Sequence, residues 1–411
     1  MTHAEPAGPE LVPVEKHQLD TLAAIRPLRP LWLPLDEAEG GVLAEDVLAD
    51  TPLPPFDNSA MDGYAVRAAD LAGATAEAPV RLPVRGEIAA GDTGSYRVAP
   101  GSCLRIMTGA LLPSGADAVV PVEQTDGGTT VAAFSRAVSP GESLRRQGDD
   151  VPAGARLLES GTPVGSVQLA LLAGSGHATA LVRPRPRVAV VATGNELAEP
   201  GTPLVPGQIW ESNSYLLAAA ARQAGAVATR HRLPDDPDAV LARLEQLLPE
   251  ADLLITSGGV SMGGEHDVVK AALSKLGTVT FRKVAMQPGM PQGFGVLGPE
   301  RQPLFTLPGN PVSAYVSFLL FVRPALDALR DLPALRQRVL TAALTDDVRS
   351  PEGRRSYLRG VLDDTQETVA PLTGQSSHQL GALAQANALI IVPEPVTRIG
   401  AGQPVDVMVL P

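Results

Sequence analysis

The stretch from residue 187 to 330 constrains the fold most, because apolar runs of strand length alternate there with helical periodicity. RVAVVAT runs into Thr193-Gly194, and a helix is expected from Ser212 to Gln223, capped by Ser212 or Asn213. The strand AVATRHRL leads to Asp235-Asp236-Pro237. A helix follows with Val240, Leu241, Leu244, Leu247 and Leu248 on one face at the 3.6 period. ADLLITS runs into Gly258-Gly259, a helix is expected from about His266 to Leu276, and strands are expected in TVTFRKVAM, QGFGVLG and PLFTL. Pro311 to Leu329 is apolar on every side and reads as a buried helix. Strands alternating with helices give a doubly wound, mainly parallel sheet. Such sheets bind ligands outside the carboxyl ends of their strands, where the strand order reverses.

The flanks have a different texture. Val14 to Ile25 reads as a short helix. From Leu31 to about Val151, short apolar runs such as VLAEDVLAD, GSCLRIMTG and DAVVPVEQ are separated by Gly and Pro, the pattern of a β-rich module. GSVQLALLA, within Pro152 to Val182, looks helical. After Asp331-Leu332-Pro333 the β texture returns in LTAALTDDV, YLRGVLDD, TVAPLT, ALIIVPE and PVDVMVL. The fold class expected is therefore α/β and β multidomain.

Composition removes several functions. With 45 acidic against 33 basic side chains and 3% aromatics, a general nucleic-acid surface is not expected. Cys103 is the single cysteine, so neither an intrachain disulfide nor a cysteine zinc site is available. The opening MTHAEPAGPE has no signal-peptide core. No unbroken apolar run approaches the roughly 18 residues of a membrane span, so no membrane association and a cytoplasmic location are expected. Only four basic residues are lysines, namely Lys16, Lys270, Lys275 and Lys283; the rest are arginines. Lys283, at a strand end, reads as a snorkelling surface lysine or, given that scarcity, as a functional cation.

The turns after the strands carry the candidate chemistry. Ser257-Gly258-Gly259 and Leu307-Pro308-Gly309-Asn310-Pro311 both suit an anion at a helix start, although Gly-Gly also makes ordinary turns and Asn-Pro also caps helices. Glu196, Asp235, Asp236 and Asp267 lie on the same edge. Carboxylates beside phosphate would repel it unless Mg²⁺ intervenes, and Mg²⁺ takes one or two carboxylates plus substrate phosphates. Helix capping competes for Asp235, Asp236 and Asp267. Apart from these, Phe56-Asp57-Asn58-Ser59-Ala60-Met61-Asp62-Gly63-Tyr64-Ala65 is a polar loop with one aromatic handle and reads as a binding loop.

That string, DNSAMDGYA, resembles the signature of the molybdopterin molybdenumtransferase family, which includes the E domain of gephyrin. The resemblance continues through RIMTGA (Arg105 to Ala110), RRQGDDV (Arg145 to Val151), TGNEL (Thr193 to Leu197), SGGVSMG (Ser257 to Gly263), LPGNPVSA (Leu307 to Ala314) and the Ser377-His378 stretch. It covers nearly the whole chain. It implies an α/β domain similar to molybdopterin adenylyltransferase at 11–29 and 186–332, and a linking domain at 30–53 and 150–185. An inserted β-rich domain at 54–149 and a C-terminal β-barrel-like domain at 333–411 complete the subunit. The implied reaction inserts molybdate into adenylylated molybdopterin with release of AMP and needs Mg²⁺. The implied partners are a second copy of the chain and a molybdopterin adenylyltransferase.

Carried over by motif, Glu196 and Asp267 resemble the Mg²⁺ carboxylates. Asp62, Asp150, Asp235 and Lys283 match catalytic positions, and Thr108 matches the same cleft. The Asp62 loop resembles one that reaches the neighbouring subunit. Thr193, Gly258, Gly259 and Asn310 fall in the substrate-binding turns, while Pro291, Ser313, Arg359 and Ser377 match the molybdate pocket. The family commonly reads Lys-Pro-Gly-Lys-Pro where this chain has Gln287-Pro288-Gly289-Met290-Pro291. Two cations beside the oxyanion are thus replaced by an amide and a thioether, which also admits tungstate. Two other readings compete: nucleotide transfer or hydrolysis, against which the DNSAMDGYA module speaks, and scaffolding, which would want an extra interaction domain and a long linker.

Overall fold

The computed structural model describes residues 11–259, 268–274, 277–333 and 338–411. The chain forms two compact units. One comprises Trp32–Glu39 and Leu43–Val182; the other comprises the chain up to Leu31, Gly40–Val42 and Arg183–Pro411.

The first unit is built on a five-stranded sheet in the order Ala118–Pro121, Gly63–Val66, Cys103–Ile106, Val80–Ile88, Val131–Phe134. Gly63–Val66 is buried at every residue because its alternating side chains feed two cores. Tyr64 and Val66 pack with Leu71, Cys103 and Phe134, whereas Ala65 packs with Ile88, Leu104, Ile106 and Val119. Tyr64 stands edge-on to Phe134, and its hydroxyl donates to the Gly128 carbonyl at 3.0 Å. Gly63 is required by close approach, since a Cβ there would lie 2.0 Å from the Val120 carbonyl oxygen. A smaller core in the same unit gathers Ala38, Leu43, Val164, Leu172, Ala180 and Val182 around the helix Ser166–Gly174.

The second unit holds a six-stranded sheet in the order Val227–Leu233, Arg187–Thr193, Leu253–Ser257, Gln302–Leu307, Pro291–Leu297, Val279–Lys283. The first four strands are parallel. Pro291–Leu297 runs antiparallel to both of its neighbours, because the short connections on either side of it leave no room for a crossover helix. Val188 and Val190 face one core with Leu217 and Phe305, while Ala189 and Val191 face another with Val240, Leu244 and Leu254. Both faces are covered, as the continuous apolar strands require.

Two expected caps differ. Ser212 sits at the N-cap of Asn213–Gln223 without a side-chain cap bond. The buried Glu211 carboxylate accepts instead from the Ser214 N–H and hydroxyl. Asn310 occupies the N-cap of Pro311–Ser317, but its side chain does not cap.

Pro311 to Leu329 is helical throughout, with a π-helical segment at Phe318–Val322. By length and composition it is long and apolar enough to cross a membrane, which the search for an unbroken apolar run missed. In the protein, 83% of that window is buried, so it is the core helix of the unit.

The five C-terminal strands close on themselves in the order Arg355–Leu362, Thr368–Pro371, Val339–Leu344, Pro404–Val409, Ala388–Val392, with Ala388–Val392 pairing back to Arg355–Leu362. Closure leaves no free edge within the ring. Val369, Ile390, Val405 and Val407 lie in the barrel core. Tyr357, Leu389 and Met408 pack into the α/β core instead, so the two modules share apolar contacts. The short strand Met286–Gln287 leaves the α/β sheet region and pairs in parallel with Arg355–Leu362. A short helix, Leu380–Gln385, was not foreseen in this β-textured region.

Candidate active site

The parallel strand order reverses beside Arg187–Thr193: the next strand in sequence lies on one side of it and Leu253–Ser257 on the other. At the carboxyl ends of these strands a cleft of about 1030 Å³ opens between the sheet and the barrel. Its sheet side carries Thr193, Gly194, Glu196, Asp235, Gly258 and Gly259. Its far side carries Gln287 to Pro291, Asn310, Ser313, Arg354 and the Gln375 to His378 loop.

Local geometry explains who faces the cleft. Asp236 takes the capping role of the Asp-Asp-Pro turn, accepting from Asp238 and Ala239 N–H at 2.9 and 3.1 Å. Asp235 is thereby free of the helix. It exchanges paired hydrogen bonds with Asn195, each at 3.1 Å, which tie the Gly194 turn to the next strand's end. Gly258 has φ +98°, and a Cβ there would lie 2.7 Å from the Thr193 carbonyl oxygen, so only glycine suits the turn.

Two expectations about backbone donors change. The Gly258 N–H donates to Leu307 O and is not available to a ligand, whereas the Gly259 N–H has no hydrogen-bond partner among the described residues. The helix start at Pro311 is also occupied. Its first residue has no N–H, and the Val312 N–H donates to Ser377 O at 3.1 Å. The barrel loop therefore caps this helix, and the Asn310 side-chain amide reaches across to the Ser377 hydroxyl at 2.8 Å.

Arg359 is 1% exposed and does not line the cleft. Its guanidinium lies behind the wall and donates to the Gly374 and Ser376 carbonyls. Gln375 clasps the Arg359 backbone in both directions. Burial without an opposing carboxylate lowers the Arg359 pKa from its ordinary value. Lys283 is likewise not part of the lining; its backbone pairs with Pro291, which is. Among the described residues, Arg354 is the only arginine or lysine in the lining, and its guanidinium makes no ion pair or hydrogen bond.

In the first unit three sequence motifs converge. Asn58-Ser59 pairs antiparallel with Leu144-Arg145. The Asp57 carboxylate accepts from the Gln147 N–H at 2.8 Å and from Arg146 at 2.6 Å, and these bonds hold its pKa low. Asp62 accepts both the N–H and the hydroxyl of Thr108 at 2.7 Å. The Thr108 hydroxyl first, then its N–H, lower the Asp62 pKa. Asp150 is exposed in the same unit, its N–H held by Leu53 O.

The comparisons agree with this layout. Residues 12–176 match a model described as MoeA N-terminal region (domain I and II). Residues 189–328 match a probable molybdopterin binding domain, and residues 341–410 match a MoeA C-terminal region (domain IV). A molybdopterin molybdenumtransferase 2 of Mycobacterium tuberculosis is 47% identical over 96% of this chain and 98% of its own. The chain belongs to the molybdopterin molybdenumtransferase family. A Bacillus subtilis member is 36% identical over 92% of this chain and 89% of its own. The solved molybdopterin biosynthesis protein from Pyrococcus horikosii superposes with a TM-score of 0.77 at 32% identity, covering 97% of this chain and 99% of that one. These place the chain among transferases of molybdenum cofactor biosynthesis.

Of the residues named from sequence, the cleft collects Thr193, Glu196, Asp235, Gly258, Gly259, Pro291, Asn310, Ser313 and Ser377. Asp62, Thr108 and Asp150 belong to the other unit. Asp267 lies outside the described residues. Sequence reasoning offered Asn213 only as a helix cap and gave it no role in the site, where it donates to Ser257 Oγ at 2.8 Å and Gly309 O at 2.6 Å. It also gave none to Gln375 or His378. Asn213 was treated as a cap, and the loop residues have no local periodicity to flag them.

Proposed function

We propose that this cleft binds adenylylated molybdopterin and molybdate and that the chain catalyses molybdate insertion with release of AMP. The observation that carries the reading is the polarity of the cleft in a chain of this family. Two carboxylates, Glu196 and Asp235, stand at the strand ends; the Arg354 guanidinium stands on the far side with the hydroxyls of Ser313, Ser376 and Ser377 and the amides of Gln287, Asn310 and Gln375.

Magnesium suits the carboxylate end. Glu196 folds back over the turn, so that a Cβ on Gly194 would meet its carboxylate at 2.6 Å, and Asp235 shares the same wall. Among the described residues no three metal-ligating side chains cluster. That suits an ion held by one or two carboxylates and completed by substrate phosphates and water. Bound there, Mg²⁺ would neutralise phosphate charge.

The remaining work belongs to the chain. Arg354, Ser313, Ser377 and the Asn310 amide hold and orient the oxyanion. Preorganised dipoles aimed at developing charge contribute without reorganising during reaction. Arg359 keeps the Ser376-Ser377 wall in position from behind. The Asp62–Thr108 pair of one subunit serves the cleft of a second copy, so the working form is a homodimer; Lys283 and Asp150 complete the catalytic set.

The test is to incubate the protein with adenylylated molybdopterin, Mg²⁺ and molybdate and to follow AMP. The expected result is AMP release that requires all three. Absence of molybdate-dependent AMP sinks the reading. AMP release without cofactor formation supports nucleotide hydrolysis instead.

A further inference from the structure

Next to the main cleft is a smaller recess of about 290 Å³, sharing Thr193, Glu196, Gly258 and Asn310 with it. Two buried oxygens in its lining have no hydrogen-bond partner among the described residues. One is Thr193 Oγ1, on a residue 4% exposed; the other is Asn213 Oδ1. The Asn213 amide cannot be turned to relieve the second. Its nitrogen donates to the Gly309 carbonyl at 2.6 Å, and a flip would press two acceptors together. Ser257 between them is already satisfied, accepting from Asn213 and donating to Pro308 O. Orphaned buried polar atoms cost free energy that a ligand donor recovers.

The rest of the lining says what kind of ligand. Glu196 and Glu211 bring two carboxyl groups, and among the described residues no arginine or lysine lines the recess, so phosphate is disfavoured. Ile209 and Trp210 form an apolar side, with the indole fixed by its N–H donating to Thr202 O at 2.9 Å. A flat ring carrying N–H donors matches these features: stacking surface on one side, two waiting acceptors on the other. We propose that this recess is a ring-recognition subsite, in which Asn213 Oδ1 and Thr193 Oγ1 accept hydrogen bonds from the exocyclic amine of the substrate's heteroaromatic ring.

The inference rests on the reading above, since that substrate carries two such rings, an aminopyrimidinone and an adenine. Direct binding separates them. The fluorescent probe 2-amino-4-oxopteridine is titrated beside 2,4-dioxopteridine, which lacks the amine, and AMP is titrated calorimetrically beside IMP. At least one amine-bearing ring should bind about tenfold tighter than its counterpart; which pair discriminates tells which ring the recess takes. Thr193→Val should reduce that discrimination about three- to tenfold. It should leave the melting temperature unchanged or raised, because it deletes an unsatisfied hydroxyl at conserved volume. Asn213→Ala should also lose it. Equal binding within both pairs, no measurable binding of any of the four, or a Thr193→Val protein that melts lower with discrimination intact would overturn the proposal. Because neither titration contains molybdate or involves turnover, its failure is separate from failure of AMP release.

Discussion

Among the described residues, Arg354 is the one lysine or arginine that lines the main cleft, where the sequence offers Gln287 and Met290 in place of two expected cations. A single unpaired guanidinium a few ångströms from a dianion is worth about 1–2 kcal/mol after desolvation. Arg354→Gln should therefore raise half-saturating molybdate about 5–30-fold and flatten its salt dependence, with Arg354→Lys in between. An unchanged molybdate titration would assign the charge elsewhere. His17 offers a residue-scale test of stability. It is 2% exposed against Phe321, and burial, aided by Arg282, lowers its pKa to about 4. The unfolded chain takes up this proton below about 6.5, while the folded one resists. The stability tied to neutral His17 is present above that pH and is lost as pH falls toward 4, at most about 3 kcal/mol by linkage. Denaturation midpoints between pH 7 and 4.5 should fall less steeply in His17→Leu; equal slopes would remove His17 as the titrating group.

At the scale of elements, Asp235 and Asp236 make a matched pair. Asp236→Ala removes the cap of Pro237–Leu247 and should cost about 1 kcal/mol of stability with activity retained. Asp235→Asn should leave the melting temperature within a degree or two and lower turnover. The reverse pattern would exchange their roles. Spacing alone could not separate them, because Asp-Asp-Pro satisfies a helix start in either register; only the motif match singled out Asp235. The sequence did reveal the strands and helices of the sheet, whose apolar periodicity is local. Barrel closure was implied by the family resemblance but was not legible from local periodicity, since it depends on Ala388–Val392 meeting Arg355–Leu362 across an intervening strand and a short helix. Nor was the Ser377 cap on the Pro311 helix, a contact between residues 65 positions apart. Phe321→Ala, in the buried π-helical segment, should cost about 3–5 kcal/mol, and urea denaturation checks it.

On the scale of the whole molecule, the motif residues divide between the two units, with Asp62 in one and the cleft in the other. If a second copy completes each cleft, mixing Asp62→Ala with Lys283→Ala protein should restore up to about a quarter of activity through hybrid dimers, by symmetric pairing. No recovery after verified subunit exchange would mean each chain serves itself. The motifs announced this division by type but not by address: sequence alone did not show that Asp57 pairs with Arg146 and Gln147, or that Asp62 pairs with Thr108.

The strand Met286–Gln287, stitched to the barrel at Arg355 and Ser356, has a consequence for recombination. A chimera that swapped the C-terminal module at the obvious junction near residue 333 would bring a foreign barrel against a native seam. Leu389 and Met408 would also have to fit a core they did not evolve with. The heritable block is thus discontinuous: a barrel from a relative should transplant well only together with residues 284–291, and the cleft-lining loop would travel with it.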